Sequence, residues 1–283
     1  MRKCFALIIM ISLMALGSVS AKNTIRAEDI ETFYKTTTYV VLDNNPMSEW
    51  SVEIRDAVEK FWTATPYKFI NDTEFEQMKG DMDKSFLVRL KVRFPKDKVK
   101  TFYNFMTVCL GAAVADVTDM PEVCSIPLGY EAVDQTSWGY KLGSFVRCAQ
   151  KHIANLRENP SLISSDPFEF YNKNMGDVHN KELWVLEQDL APDTRSLRQI
   201  RDNYRGTVKV VKPEDIKKAI EERNPNVVFL HKVGPEGTRL QARIYKAIIG
   251  AGDDKIYYFD YHNQSSRNGD GLLKKDFKRL NAR

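Results

Sequence analysis

Side chains able to do chemistry are sparse in this chain, and their spacing decides what each can do. Four histidines occur, His152, His179, His231 and His262. No two are four residues apart, the spacing that sets paired imidazoles on one helix face for a metal. Asp260 and His262 alternate along IYYFDYH, which reads as a strand, so both point to one side. Two ligands begin a metal site, but a closed or catalytic one takes three or four, and no third is visible. No metal and no cofactor is implied. A nucleophilic hydrolase presents Ser or Cys on a strained turn such as G-x-S-x-G, and that pentapeptide is absent. Gly143-Ser144 falls inside a helical pattern, where a hydroxyl bonds backbone. Gly250-Ala251-Gly252 lies between two strand patterns and reads as a hairpin turn, not a phosphate loop. No catalytic residue is assigned.

The acidic positions with most promise are Asp43 and Glu187, each at the end of a β-branched or apolar run and each followed by breakers, Asn44-Asn45 and Gln188-Asp189. Carboxyl ends of parallel strands are where α/β sheets dock ligands. Asp43, Asn44, Asn45, Glu187, Gln188 and Asp189 are therefore the binding candidates, and a pseudo-twofold between two repeats would bring both loops to one groove. Turn and cap chemistry accounts for the same residue types. If the chain is instead a hydrolase, Asp43, Glu187, Asp260 and His262 are the first candidates, since paired carboxylates serve as acid and base when their environments differ. Beyond the N-terminal segment three cysteines remain, Cys109, Cys124 and Cys148, without CxxC spacing. If the strands carrying Cys109 and Cys124 pair, a disulfide there closes a loop of about 15 residues; Cys124 with Cys148 is the competing pair.

Those residues must be positioned by recurring elements. Thr37–Asp43 (TTYVVLD) reads as a buried strand. Ser48 caps a helix with Trp50, Ile54, Val58, Phe61 and Trp62 on one face. A short strand follows at 67–70, then a short helix capped by Asp72 or Thr73, alternating strands at 86–94 and 102–110, an edge strand in PEVCSIPL, and a closing helix over 138–156. The same order recurs from LWVLEQDL at 183–190: a helix capped by Thr194, a strand at 207–212, a helix begun by Pro213, strands at 227–233, 243–250 and 256–262, and a terminal helix at 272–280. The expected fold is α/β, two tandem β-α-β-α-β-β-β-α repeats, each a mixed sheet covered by helices, at 22–160 and 182–283. The intervening 161–181, rich in Ser, Asn, Asp and Gly, reads as a linker whose Phe168, Phe170 and Tyr171 pack on a neighbouring unit. The basic tail GLLKKDFKRLNAR reads as a packing helix with a solvated charged face.

Arg2 and Lys3, the apolar run Phe5–Leu16 and the small residues before Ala21 form an export leader with cleavage after Ala21, too short to span a bilayer. The expected location is the periplasm. With 43% apolar and 28% charged residues, and 42 Lys+Arg against 38 Asp+Glu, the chain is globular and has no charge bias towards nucleic acid. No later window is apolar enough for a membrane span. The order of a hydrophobic strand, a long amphipathic helix and then a VVFLHKV-like strand before a meander resembles the N-terminal domain of the TolB translocation protein and the related lipoprotein activators of peptidoglycan synthases. That resemblance implies a non-enzymatic envelope protein that binds a protein partner. A secreted hydrolase or cell-wall-modifying enzyme, and a small-ligand-binding protein with a groove between its repeats, are the other two readings.

Overall fold

The structure, a computed structural model, describes residues 25–94, 101–235 and 242–281. The expected leader at 1–21 lies outside the described residues. The first unit opens with a short helix, Ala27–Phe33 (α1), which the sequence did not single out. Thr37–Leu42 (β1) leads to Glu49–Phe61 (α2), whose N-terminus is satisfied by the Ser48 side chain accepting from the Ser51 N–H. Tyr67–Asn71 (β2) returns parallel to β1. Asn71, rather than Asp72 or Thr73, caps Asp72–Met78 (α3), in a reciprocal box with Glu74. Lys84–Val92 (β3) pairs in parallel with β1, and Tyr103–Leu110 (β4) and Glu122–Tyr130 (β5) continue antiparallel. Leu142–Glu158 (α4) closes the unit.

The stretch read as a linker is ordered and partly helical. Asp166 accepts from the Phe168 N–H and Pro167 occupies the first turn of Pro167–Asn172 (α5), a helix too short for its periodicity to show in sequence. Glu182–Val185 (β6), Leu197–Arg201 (α6), Thr207–Val210 (β7), Pro213–Glu221 (α7), Val227–Val233 (β8), Arg243–Gly250 (β9), Ile256–Asn263 (β10) and Lys274–Leu280 (α8) complete the second unit. Ser196, not Thr194, caps α6. The stacked rings of Phe168 and Phe259, 4.8 Å apart, seat α5 on β10.

The sheet orders are β2-β1-β3-β4-β5 and β7-β6-β8-β9-β10, the same topology twice. Each sheet is parallel in its first three strands and antiparallel afterwards, so the fold is two tandem mixed α/β units. Their apolar faces show how they stack. Val40, Leu42, Leu87 and Val108 of the first sheet share one cluster with α2 and α4, and that cluster continues into α7, Val227, Phe229 and Ile249 of the second. The opposite face of the first sheet (Val41, Phe86, Val88) meets Phe75 of α3. The opposite face of the second (Leu183, Val228, Leu230) meets Ile200 of α6 and Phe277 and Leu280 of α8. Helices that match by order, α2 with α6 and α4 with α8, thus lie inside in one unit and outside in the other. The units stack face to back, which overturns the pseudo-twofold. Arg147 of α4 clamps them, donating from Nε to Asp254 Oδ1 at 2.7 Å in the β9–β10 turn, where Arg223 joins from the other side.

Candidate functional site

The two acid-bearing loops serve the fold. Asp43 Oδ1 accepts from Arg89 at 2.8 Å and Oδ2 accepts from Ser48 Oγ at 2.7 Å, so the carboxylate braces the start of α2 against β3. Asn45 makes a local turn, its Oδ1 accepting from the Met47 N–H at 3.0 Å, and Asn44 Oδ1 accepts from Thr73 at 3.3 Å. In the second unit β6 ends at Val185, and Leu186 onward enters a tight turn rather than the extended run expected to Leu190. Glu187 and Gln188 are exposed, while Asp189 is buried with Oδ1 4.0 Å from Lys232 Nζ, itself paired to Asp270 at 2.8 Å. Gly271, at φ +104°, lets the chain lie against the Asp189 backbone, and the Leu272 N–H donates to Asp189 O at 2.8 Å. In both units, then, an acid leaving the first strand meets a base on the third. Gln188 and Asp189 border a small pocket with Trp138, Lys141 and Lys232, to which Asp43, Asn44 and Asn45 do not contribute.

The other expected candidates are equally committed. Asp260 accepts from Arg279 and from Tyr258 OH, tying β10 to α8. His262 Nε2 donates to Gly269 O at 2.9 Å, and burial with Lys246 nearby lowers its pKa. Asp43, Asp260 and His262 are thus each engaged by a different partner, and Glu187 stands on the surface. Among the described residues no three His, Cys, Asp or Glu side chains group to hold a metal ion. Cys109, Cys124 and Cys148 are free buried thiols. On the paired β4 and β5, Cys124 lies opposite Val108 and Cys109 opposite Glu122. Cys124 faces the central cluster and Cys109 the outer one. Opposite faces of one sheet rule out the Cys109–Cys124 bridge without turning a strand over. Burial pushes the Cys109 and Cys148 thiols up to about 12, away from nucleophilic use.

What the stacking does create is a cavity of about 370 Å³ between the antiparallel halves of the two sheets. Val123, Cys124 and Ile126 of the edge strand β5 form one wall, and Ala247, Ile249 and Phe259 of β9 and β10 the opposite wall. Cys148, His152 and Leu156 of α4 lie across one end, with Leu162, Ile163 and Pro167 beside the exposed mouth residues Glu122 and Ser165. This volume falls within the usual range of small-molecule sites, which are concave and mostly apolar with a few convergent polar groups. Those polar groups are neutral. His152 Nδ1 shares a hydrogen bond with Tyr171 OH, and burial brings its pKa down to about 4. Ser125 Oγ is engaged by Thr107 Oγ1 at 2.8 Å. His231, on the central strand β8, bonds through Nε2 to Pro127 O at 2.9 Å, and burial holds its pKa well below the ordinary value. Among the described residues no Lys or Arg lines the cavity, and Glu122 at the mouth is the one carboxylate.

Sequence reasoning missed every one of these wall residues as a site. They come from six segments, five of which read as ordinary core and one as linker, and only the stacking of the units gathers them. The available signal was His231 inside VVFLHKV, a polar side chain in a run buried from end to end. Comparison with family models, with curated proteins and with solved structures finds no match for this chain.

Proposed function

We propose that this protein binds a small, largely apolar ligand without transforming it, in the cavity between its two units, and that it does so after export on its N-terminal leader. The observation that carries this reading is the cavity of about 370 Å³, walled by apolar residues of both sheets and bordered by neutral polar groups. Its thiols are held protonated by burial and its two histidines are held neutral, a poor environment for nucleophilic chemistry and a good one for an uncharged guest. A protein partner in the envelope is the reading supported by element order. The exposed large apolar side chains Met47, Val52, Met82, Leu197, Val210 and Tyr261 are spread over both units, which favours the interior site.

The test is titration of the purified protein with N-phenyl-1-naphthylamine, whose fluorescence rises in apolar surroundings. Saturable binding of one probe per chain is expected. Ala247→Leu, which fills the wall of the cavity from β9, should weaken binding by about tenfold or more while circular dichroism stays native. Absence of saturable binding, or binding indifferent to Ala247→Leu, would overturn the proposal.

A further inference from the structure

The apolar cavity adjoins a second one of about 210 Å³, and the two share a wall: Cys148 and His152 of α4, Tyr171 of α5 and Ile256 of β10 line both. The second differs in kind. Lys151 and Asn155, one helical turn apart on α4, line it together with Lys255 of the β9–β10 turn. Lys151 is exposed, donates from Nζ to Asp253 O at 2.8 Å and forms no ion pair among the described residues. The neighbouring carboxylates are already engaged. Asp253 accepts from Tyr257 OH at 2.6 Å and from the Lys255 N–H at 3.1 Å, and Asp254 is held between Arg147 and Arg223. Lys255 meets the exposed Asp177 at 3.1 Å, a surface pair of the kind that contributes little. The Asn155 amide has no hydrogen-bond partner among the described residues and is not sealed from solvent. Positive charge and an amide donor are therefore available in the second cavity, whereas the mouth of the first carries Glu122.

We infer, resting on the ligand-binding reading above, that the occupant is an amphiphile with a carboxylate head, whose apolar body fills the first cavity and whose head lies in the second, bonded by Lys151 and Asn155. Two adjoining cavities, one apolar and one cationic, match the two parts of such a molecule. The junction between them is neutral, since His152 and Tyr171 share a hydrogen bond and burial brings the His152 pKa down to about 4. The charge of the guest stays out of the apolar cavity, where its desolvation would go uncompensated, and rests beside exposed cations. The reverse orientation sets one carboxylate against another at Glu122.

Three probes of matched length test the orientation and the head: decanoate, 1-decanol and decylamine, each measured by displacement of the fluorescent probe. At neutral pH decanoate should bind about tenfold tighter than decanol, and decylamine weakest of the three. Added salt should weaken decanoate and leave decanol unchanged. In Lys151→Met decanoate affinity should fall to about that of decanol, while decanol affinity, which also reports that the variant is folded, stays the same. Asn155→Leu should lower decanoate affinity by a smaller factor. Decanoate binding no tighter than decanol would overturn the inference while leaving the apolar site intact. Decanoate binding indifferent to Lys151→Met would overturn it too, because the anion would then be held elsewhere. Decylamine binding tightest would place the head at Glu122 and likewise overturn it. Failure of all three, together with the fluorescent probe, would instead remove the ligand-binding reading on which it rests.

Discussion

Met106 and Lys246 stand at the same place in the two units. Arg89 lies five residues beyond Lys84, the partner of Thr37, and pairs with Met106; Lys232 lies five beyond Val227, the partner of Glu182, and pairs with Lys246. Both side chains are almost wholly buried, and both point towards the face covered by the closing helix of their unit. Met106 meets an apolar cluster that includes the stripe of α4, a helix of 17 residues. Lys246 meets Asp276 of α8, a helix of 7 residues, with Nζ 2.8 Å from both carboxylate oxygens. Asp276 also accepts from Tyr258 OH and from the Leu273 N–H, so it caps α8 as well as anchoring it. A long helix holds its place by area. A short one has too little area to fix its position and is held by directional, charge-assisted bonds.

That contrast can be broken most severely by exchanging the residues. Met106→Lys places an unpaired ammonium in the central cluster and should destabilise the protein by more than about 4 kcal/mol, measured by denaturant unfolding; a near-neutral result would show that the cluster admits water. Lys246→Met strands the Asp276 carboxylate and should cost about 3–5 kcal/mol. Adding Asp276→Asn to that variant keeps the cap while removing the charge, and should recover a coupling of about 2 kcal/mol in the double-mutant cycle; strict additivity would mean that the pair does not act as a unit. A smaller effect concerns His152, whose pKa falls from its ordinary 6.5 to about 4 on folding. The unfolded chain then binds the extra proton between those values, so this group's contribution to stability is complete above pH 6.5 and is lost as pH falls towards 4. In His152→Gln, the decline of melting temperature over that interval should be shallower. The smallest effect belongs to Asp43→Ala, about 1 kcal/mol of stability from lost loop hydrogen bonds, with fluorescent-probe binding unchanged. Weakened probe binding there would return the first loop to the site.

The elements were largely legible because β-branched runs, Ser48 and Pro213 are local signals, and the tandem order followed from them. The relation between the units was not legible. Nothing local to Ile54, Phe145 or Ile216 states which sheet face a helix will share, and the pseudo-twofold that placed Asp43 and Glu187 together assumed the wrong answer. The ends of elements failed where side chains outside the pattern decided them. The strand expected to run on through Leu186 to Leu190 instead turns away after Val185, where the Asp189 backbone is claimed by Leu272, far along the chain. The cavity was illegible for the same reason, since its walls meet only after the stacking is made.

Face-to-back stacking has a consequence for the molecule as an electrical object. A two-fold pair presents like ends, but this arrangement has a direction. The helix at one end, α3, turns Asp72, Glu74 and Glu76 to water, whereas the helix at the other, α8, turns out Lys274, Lys275, Lys278 and Arg279. The end helices therefore form the poles of a molecular dipole laid along the stacking axis. Its field is felt by charged surfaces within a Debye length of about 8 Å at physiological salt, so an anionic surface attracts the second unit and repels the first.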